Sequence, residues 1–204
     1  DTITISECAG VLQYAQTVFE GLKAYTTEDG HVVCFRPDLN AERLEQSAKR
    51  LEMPAFPQDR FVDAIVQTVK ANIDYVPPYG SGATLYIRPY MFGTNAVIGV
   101  KPADEYQFRV STTPVGPYFK GGAKPITIRV SDFDRAAPHG TGHIKAGLNY
   151  AMSLHAIVDA HNQGFAENVY LDAATRTKIE ETGGANILFI TKDNKVVTPK
   201  SNSI

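Results

Sequence analysis

The sequence predicts an α+β protein built as two small units, and three observations carry that expectation. Strands and helices fall in separate runs rather than in strict alternation. Residues 114–125 (PVGPYFKGGAKP) hold three Pro and three Gly in twelve residues, the best linker in the chain. The length of 204 residues suits one large or two small domains. We therefore expect a small α+β domain over 1–115, a linker over 116–125 and a second domain over 126–204.

Each element has a local reason. Val18 to Tyr25 is rich in apolar and aromatic residues and reads as a strand. Glu28-Asp29-Gly30 turns it, and His31 to Phe35 returns. Pro37 and Asp38 suit the first turn of a helix. Leu39, Leu44, Ala48 and Leu51 give that helix an apolar side, and Pro54 stops it. Phe61, Ile65, Val69 and Ile73 recur every four residues, so a second helix is expected over 59–74, ended by Pro77-Pro78. Residues 83–92 (ATLYIRPYMF) read as a strand with Pro89 inside it, hence an edge or bulged strand. Tyr106 to Thr113 is another. Beyond the linker come a strand over 126–130, a glycine-rich loop over 140–147 and a helix over 148–162, with Gly164 at its C-terminal cap. Short strands follow at 168–171, 176–180, 187–191 and 195–198.

Composition excludes several classes. Lys and Arg number 20 against 22 Asp and Glu, with no clustered basic run, so no nucleic-acid partner is expected. No apolar stretch is long enough to span a bilayer, and no signal-peptide pattern opens the chain. Cys8 and Cys34 are too few for a disulfide framework and too far apart for a zinc pair. They read as free thiols in a reducing, cytoplasmic compartment. The five His residues lack metal-ligand spacing, and no Gly-x-Ser-x-Gly elbow occurs, so no metal or serine-hydrolase site is expected.

Three features could carry chemistry. Residues 140–150 (GTGHIKAGLNY) set Lys145 among three glycines at the mouth of a helix. A partly enclosed amine suits Schiff-base chemistry, and the same pattern fits a solvated lysine beside a turn. Glu180 and Glu181 precede a Gly-Gly turn and an apolar strand. Neighbours on a strand face opposite ways, so one of the two carboxylates faces inward and needs a partner. The third feature is the set Tyr14, Phe19, Tyr86 and Tyr118 with Arg43 and Arg88. These aromatics fit core or pocket wall by position. Arg88, flanked by apolar residues, demands an anion, either a side chain or a substrate. Arg43 fits a surface pair with Glu42 or Glu45.

Six segments in order give these features a common setting: FEGLKAY (19–25), FRP (35–37) with NAERL (40–44), LYIRP (85–89), PVGPYF (114–119), KAGLNY (145–150) and ETGGAN (181–186). Together they resemble the branched-chain amino acid aminotransferases, fold-type-IV enzymes dependent on pyridoxal phosphate, and the resemblance spans nearly the whole chain. It implies that Lys145 forms the Schiff base with pyridoxal 5'-phosphate and shuttles the proton. It implies that Glu181, not Glu180, pairs with the cofactor's ring nitrogen, that Tyr150 hydrogen-bonds its phenolic oxygen and that Arg43 grips its phosphate. Tyr14, Phe19, Tyr86 and Tyr118 then wall the substrate side chain, and Arg88 meets the distal carboxylate of glutamate. The implied reaction is ping-pong transfer of the amino group of L-leucine, L-isoleucine or L-valine to 2-oxoglutarate, and its reverse. The implied assembly is a homodimer, acting on small amino and 2-oxo acids.

The resemblance also implies an enzyme truncated at both ends, with 126–204 the first part of a large cofactor-binding domain. The family's Leu-Pro-Gly-Ile-Thr-Arg loop would follow the final residue. Leu148 stands where the family usually has Gly, and Gly184 where animal members often have Thr. A D-amino acid aminotransferase or an aminodeoxychorismate lyase would share the fold, but FEG, YIR and GPY as a set match the branched-chain enzymes. A non-catalytic binding module is the remaining alternative, and intact Lys145 and Glu181 oppose it.

Overall fold

The computed structural model describes residues 2–117, 124–201 and 203. The chain divides into two compact units. One comprises Asp1–Ala123 with Lys145–Gly147, the other Lys124–Ile144 with Leu148–Ile204. The sequence assigns all of 126–204 to one domain, whereas Lys145–Gly147 group with the first unit. Most of the expected linker, and Tyr118 with it, lies outside the described residues.

The first unit runs α1 (Gly10–Tyr14), β1 (Thr17–Phe19), β2 (Leu22–Thr26), β3 (Val32–Cys34), α2 (Pro37–Arg50), α3 (Gln58–Ala71), a 3-10 turn (Ile73–Tyr75), β4 (Thr84–Gly93) and β5 (Tyr106–Val115). One antiparallel sheet joins its strands. β4 pairs with β1 and β2 along one edge and with β5 along the other, and β3 lies outside β2. Two expectations change here. The strand expected over 18–25 is broken at Glu20-Gly21 into β1 and β2, which keep one continuous register against β4 (Phe19 opposite Tyr90, Leu22 opposite Ile87). And β4, expected to be an edge or bulged strand because of Pro89, lies inside the sheet in unbroken register with β5. The two departures explain each other. Pro89 has no N–H to give, and its strand neighbour is interrupted directly opposite, where Glu20 N–H donates to the Pro89 carbonyl at 2.8 Å.

Alternation along β4 separates two faces. Leu85, Ile87 and Met91 are buried, whereas Tyr86, Arg88 and Tyr90 are half-buried on the opposite side. The buried face packs with Ala41, Leu44 and Ala48 of α2 and Phe61, Ile65 and Val69 of α3. These are apolar positions of the kind that helical spacing places on one side. Full burial of a side chain the size of Phe61 or Ile65 contributes about 2–3 kcal/mol.

The second unit holds β6 (Ile128–Val130), most of α4 (Gly147–Asn162), β7 (Glu167–Leu171), β8 (Ile179–Thr182), β9 (Phe189–Ile190) and β10 (Val196–Val197). β6 and β7 pair in parallel, joined by the crossover helix α4, and β7 pairs antiparallel with β8. Gly164 follows α4 with φ +84°, a conformation that costs glycine nothing. Asn168 on β7 fastens to α4 by donating to the Ala156 carbonyl at 2.8 Å. Among the described residues no helix is long and apolar enough to cross a membrane.

Candidate active site

In the first unit the open sheet face gathers four of the singled-out residues. Phe19 comes from β1, and Tyr86 and Arg88 from β4. Lys145 is distant from all three in sequence, and it arrives because Lys145–Gly147 lie antiparallel beside β1. Val18 and Ala146 form the bridge, and Phe19 N–H donates to the Lys145 carbonyl at 3.1 Å. Residues opposed across antiparallel strands share a face. Val18 and Ala146 are both fully buried, so Lys145 and Phe19 emerge together on the open side. The Lys145 Nζ lies 4.9 Å from the Phe19 ring centroid. The Arg88 guanidinium carbon lies 4.3 Å from the same centroid.

Arg88 is held by its neighbour. Its Nε and Nη2 both donate to the Tyr86 hydroxyl, at 2.9 and 2.7 Å. No carboxylate pairs with it among the described residues, so of the two anions that the sequence allows, none comes from a described side chain. Gly21 makes room for this pair, since a Cβ there would come within 2.7 Å of the Tyr86 hydroxyl. Tyr14, at the end of α1, is 42% exposed, and its side chain makes no hydrogen bond or ring contact with other described residues.

Arg43 has a partner that the sequence misses. It pairs neither with Glu42 nor with Glu45 but with Glu20, by two hydrogen bonds of 2.6 and 2.7 Å. Glu20 is fully buried and also accepts from Asn40 at 2.7 Å. The fork-to-carboxylate geometry fixes the plane of the guanidinium, while the Arg43 side chain stays 40% exposed. The signal was present in parity: Glu20 falls between Val18 and Leu22, on the buried side of the strand, where an acid needs a cation.

In the second unit, Glu181 lies opposite Tyr170 on β8 and is 8% exposed. Glu180 is less buried and accepts from the Ser203 hydroxyl at 2.8 Å. Tyr150, in the first turns of α4, lies under the Arg135 guanidinium, 4.8 Å from carbon to ring centroid. Arg135 has no mark in the sequence pattern. It is 2% exposed, donates through Nη1 to the Asn149 carbonyl at 3.2 Å, and its Nε has no acceptor among the described residues. A buried donor in that state marks a place where an acceptor belongs. Burial pushes the Tyr170 phenol above its ordinary pKa, so it stays a neutral hydroxyl within electrostatic reach of Arg135, Glu167 and Glu181. Asn149 closes the loop ahead of Lys145. Its amide donates to the carbonyls of Thr141 and Ile144, at 2.7 and 2.9 Å, and accepts from the Thr141 hydroxyl at 2.8 Å.

The chain thus supplies a primary amine, a phenol, a buried carboxylate and a forked guanidinium. That set matches an aromatic cofactor with a carbonyl, a phenolic oxygen, a ring nitrogen and a phosphate.

The amino-transferase class IV family model matches residues 17–204. The branched-chain-amino-acid aminotransferase of Haemophilus influenzae is 53% identical over 208 residues, covering 100% of this chain and 61% of the relative. That of Helicobacter pylori is 48% identical over 206 residues, with the same coverage of 100% and 61%. The chain thus spans about 61% of the length of these relatives. Among solved structures, the branched-chain amino acid aminotransferase of Escherichia coli superposes with a TM-score of 0.81 at 29% identity, over 98% of this chain and 65% of that one.

Proposed function

The chain belongs to the amino-transferase class IV family, with the fold-type-IV architecture of its structural neighbours, and on that premise we propose that it performs branched-chain transamination. L-leucine, L-isoleucine or L-valine gives its amino group to 2-oxoglutarate, leaving the branched 2-oxo acid and L-glutamate, and the reaction runs in reverse for biosynthesis. The observation that carries this reading is the shared sheet face. An amine, an aromatic ring and a guanidinium with no described carboxylate partner stand together at Lys145, Phe19 and Arg88.

Pyridoxal phosphate is the cofactor that the residues fit. When bound, it supplies a carbonyl that accepts amino groups and a ring that accepts electrons. Lys145 Nζ anchors it and moves the proton to and from the substrate Cα. Arg43, oriented by Glu20, takes the phosphate. Tyr150 donates to the phenolic oxygen, and Arg135 on its ring fixes its plane. Glu181 holds a proton on the ring nitrogen. Phe19, Tyr86, Tyr14 and Tyr118 exclude water around a branched side chain, and Arg88 receives the distal carboxylate when the substrate is a dicarboxylate. One site then serves both halves of a ping-pong cycle. We further propose a homodimer located in the cytoplasm, on the family resemblance and on the use of cysteine.

Initial rates with 2-oxoglutarate as acceptor test the substrate class. L-leucine, L-isoleucine and L-valine are expected to react at comparable rates, and D-alanine at least about 100-fold more slowly, the size of discrimination that a shaped apolar pocket reaches. Preference for D-alanine, or cleavage of aminodeoxychorismate, would move the chain to another activity of the same fold.

Gly21→Ala tests the role of Arg88. The added methyl must displace the Tyr86 hydroxyl, 2.7 Å away, and with it the acceptor that orients Arg88. The moving atom ends a side chain, so the fold should tolerate the change. We expect KM for 2-oxoglutarate to rise about tenfold, the value of one charge-assisted hydrogen bond, with the L-leucine half-reaction little altered. Equal losses for both substrates would assign Tyr86 and Arg88 to general packing.

A further inference from the structure

We propose that Ser47 fixes the register at which Lys145 joins the sheet, and so decides which face carries the amine. The proposal rests on the reading of Lys145 as the cofactor-bearing lysine.

The lysine segment joins the sheet of the first unit over a short stretch. Only Lys145–Gly147 group with the first unit from beyond the linker, and among the described residues their one bridge joins Ala146 to Val18. A slip of one residue would turn Lys145 into the core and bring Ala146 or Ile144 to the open face. Gly147 offers no side chain that would resist such a slip.

Ser47 supplies a fixed point for the segment. It lies on the buried side of α2 beside Leu44 and Ala48 and is fully buried. Its hydroxyl accepts the Lys145 N–H at 3.0 Å, across 98 residues of sequence. The Lys145 carbonyl meanwhile accepts from Phe19 at 3.1 Å. Both backbone polar groups of the lysine are therefore fastened, one to the helix beneath the sheet and one to the strand beside it. A hydroxyl at one fixed point in an otherwise apolar helix face recognises one N–H only. In a slipped register Ala146 or Ile144 would have to offer it, with Lys145 carried inward. Ala48 and Ala146 are both fully buried, and packing that closes around such small side chains leaves no room for a lysine. Ser47 is thus a positioning residue, acting on Nζ through the lysine backbone.

The test is amide hydrogen exchange on the intact protein without cofactor, comparing wild type with Ser47→Ala. We expect the Lys145 amide to exchange about tenfold faster in the variant, the factor that one ordinary hydrogen bond represents. The Ile87 amide, in the middle of β4, should keep its protection. In the loaded enzyme, the pH midpoint of the cofactor's visible absorbance should shift and kcat fall while KM for L-leucine holds, and Ser47→Thr, which keeps the hydroxyl, should restore the exchange rate. A Lys145 amide equally protected in Ser47→Ala and wild type would overturn the proposal. If Ile87 also loses protection, Ser47→Cys is measured instead: it keeps the size and weakens the acceptor, and the same two outcomes decide. The functional reading fails separately, if borohydride reduction of the loaded wild type leaves no pyridoxyl mass on Lys145.

Discussion

Lys145→Ala should lose transamination by about 10⁴-fold or more, because the change removes both the covalent anchor and the proton carrier. The fold should survive it. The lysine's backbone bonds to Ser47 and to Phe19, and alanine keeps both. The side chain contributes an amine 4.9 Å from the Phe19 ring, half-buried on the sheet's open face. Thermal unfolding should therefore change little while the visible absorbance of the lysine-bound cofactor vanishes. Borohydride followed by peptide mass analysis should label wild type at Lys145 and leave the variant unlabelled. A variant that keeps a reducible chromophore would assign the covalent role to another amine.

Glu181→Gln should lower turnover by about 100-fold, comparable to the loss of one preorganised electrostatic partner in a site shielded from water. The substitution is nearly isosteric, and the position is 8% exposed on β8, opposite Tyr170. Shape should persist and charge should not. A buried carboxylate favours a protonated ring nitrogen, which lets the ring accept electrons, whereas an amide favours it far less. Cofactor should still bind, through Lys145, Arg43 and Tyr150. Fluorescence titration of cofactor affinity beside steady-state kinetics separates the two effects. Near-normal turnover would mean that the ring nitrogen has another partner.

How much of this was legible in the sequence depends on the range of the interaction. The helices α2 and α3 were plain, because Leu44 and Ala48, and Phe61, Ile65 and Val69, mark a face within a few residues of one another. The β2–β3 hairpin was plain for the same reason. The position of β4 was not. A proline argues locally for an edge or a bulge, and the break at Glu20-Gly21 on the neighbouring strand makes a regular interior place tolerable. Lys145 and Arg88 stood out by residue type and surroundings, but the polar residues that support the site did not. Glu20 meets Arg43 across 23 residues and Ser47 meets Lys145 across 98, and local pattern carries no trace of such partners. Arg135 over Tyr150 is hidden in the same way. Parity alone could have flagged Glu20 as a buried acid. Tyr14 is the opposite case. Its place in the aromatic wall rests on resemblance, and the structure shows it 42% exposed at the end of α1, with no hydrogen bond or ring contact to other described residues.

The most direct test of branched-chain transamination is a single-turnover absorbance measurement on the intact protein loaded with pyridoxal phosphate. Adding L-leucine without acceptor should replace the visible band with the near-ultraviolet band of pyridoxamine phosphate and release one equivalent of the branched 2-oxo acid. Adding 2-oxoglutarate should restore the first band and yield L-glutamate. A spectrum unmoved by L-leucine in protein that carries cofactor on Lys145 would contradict the account.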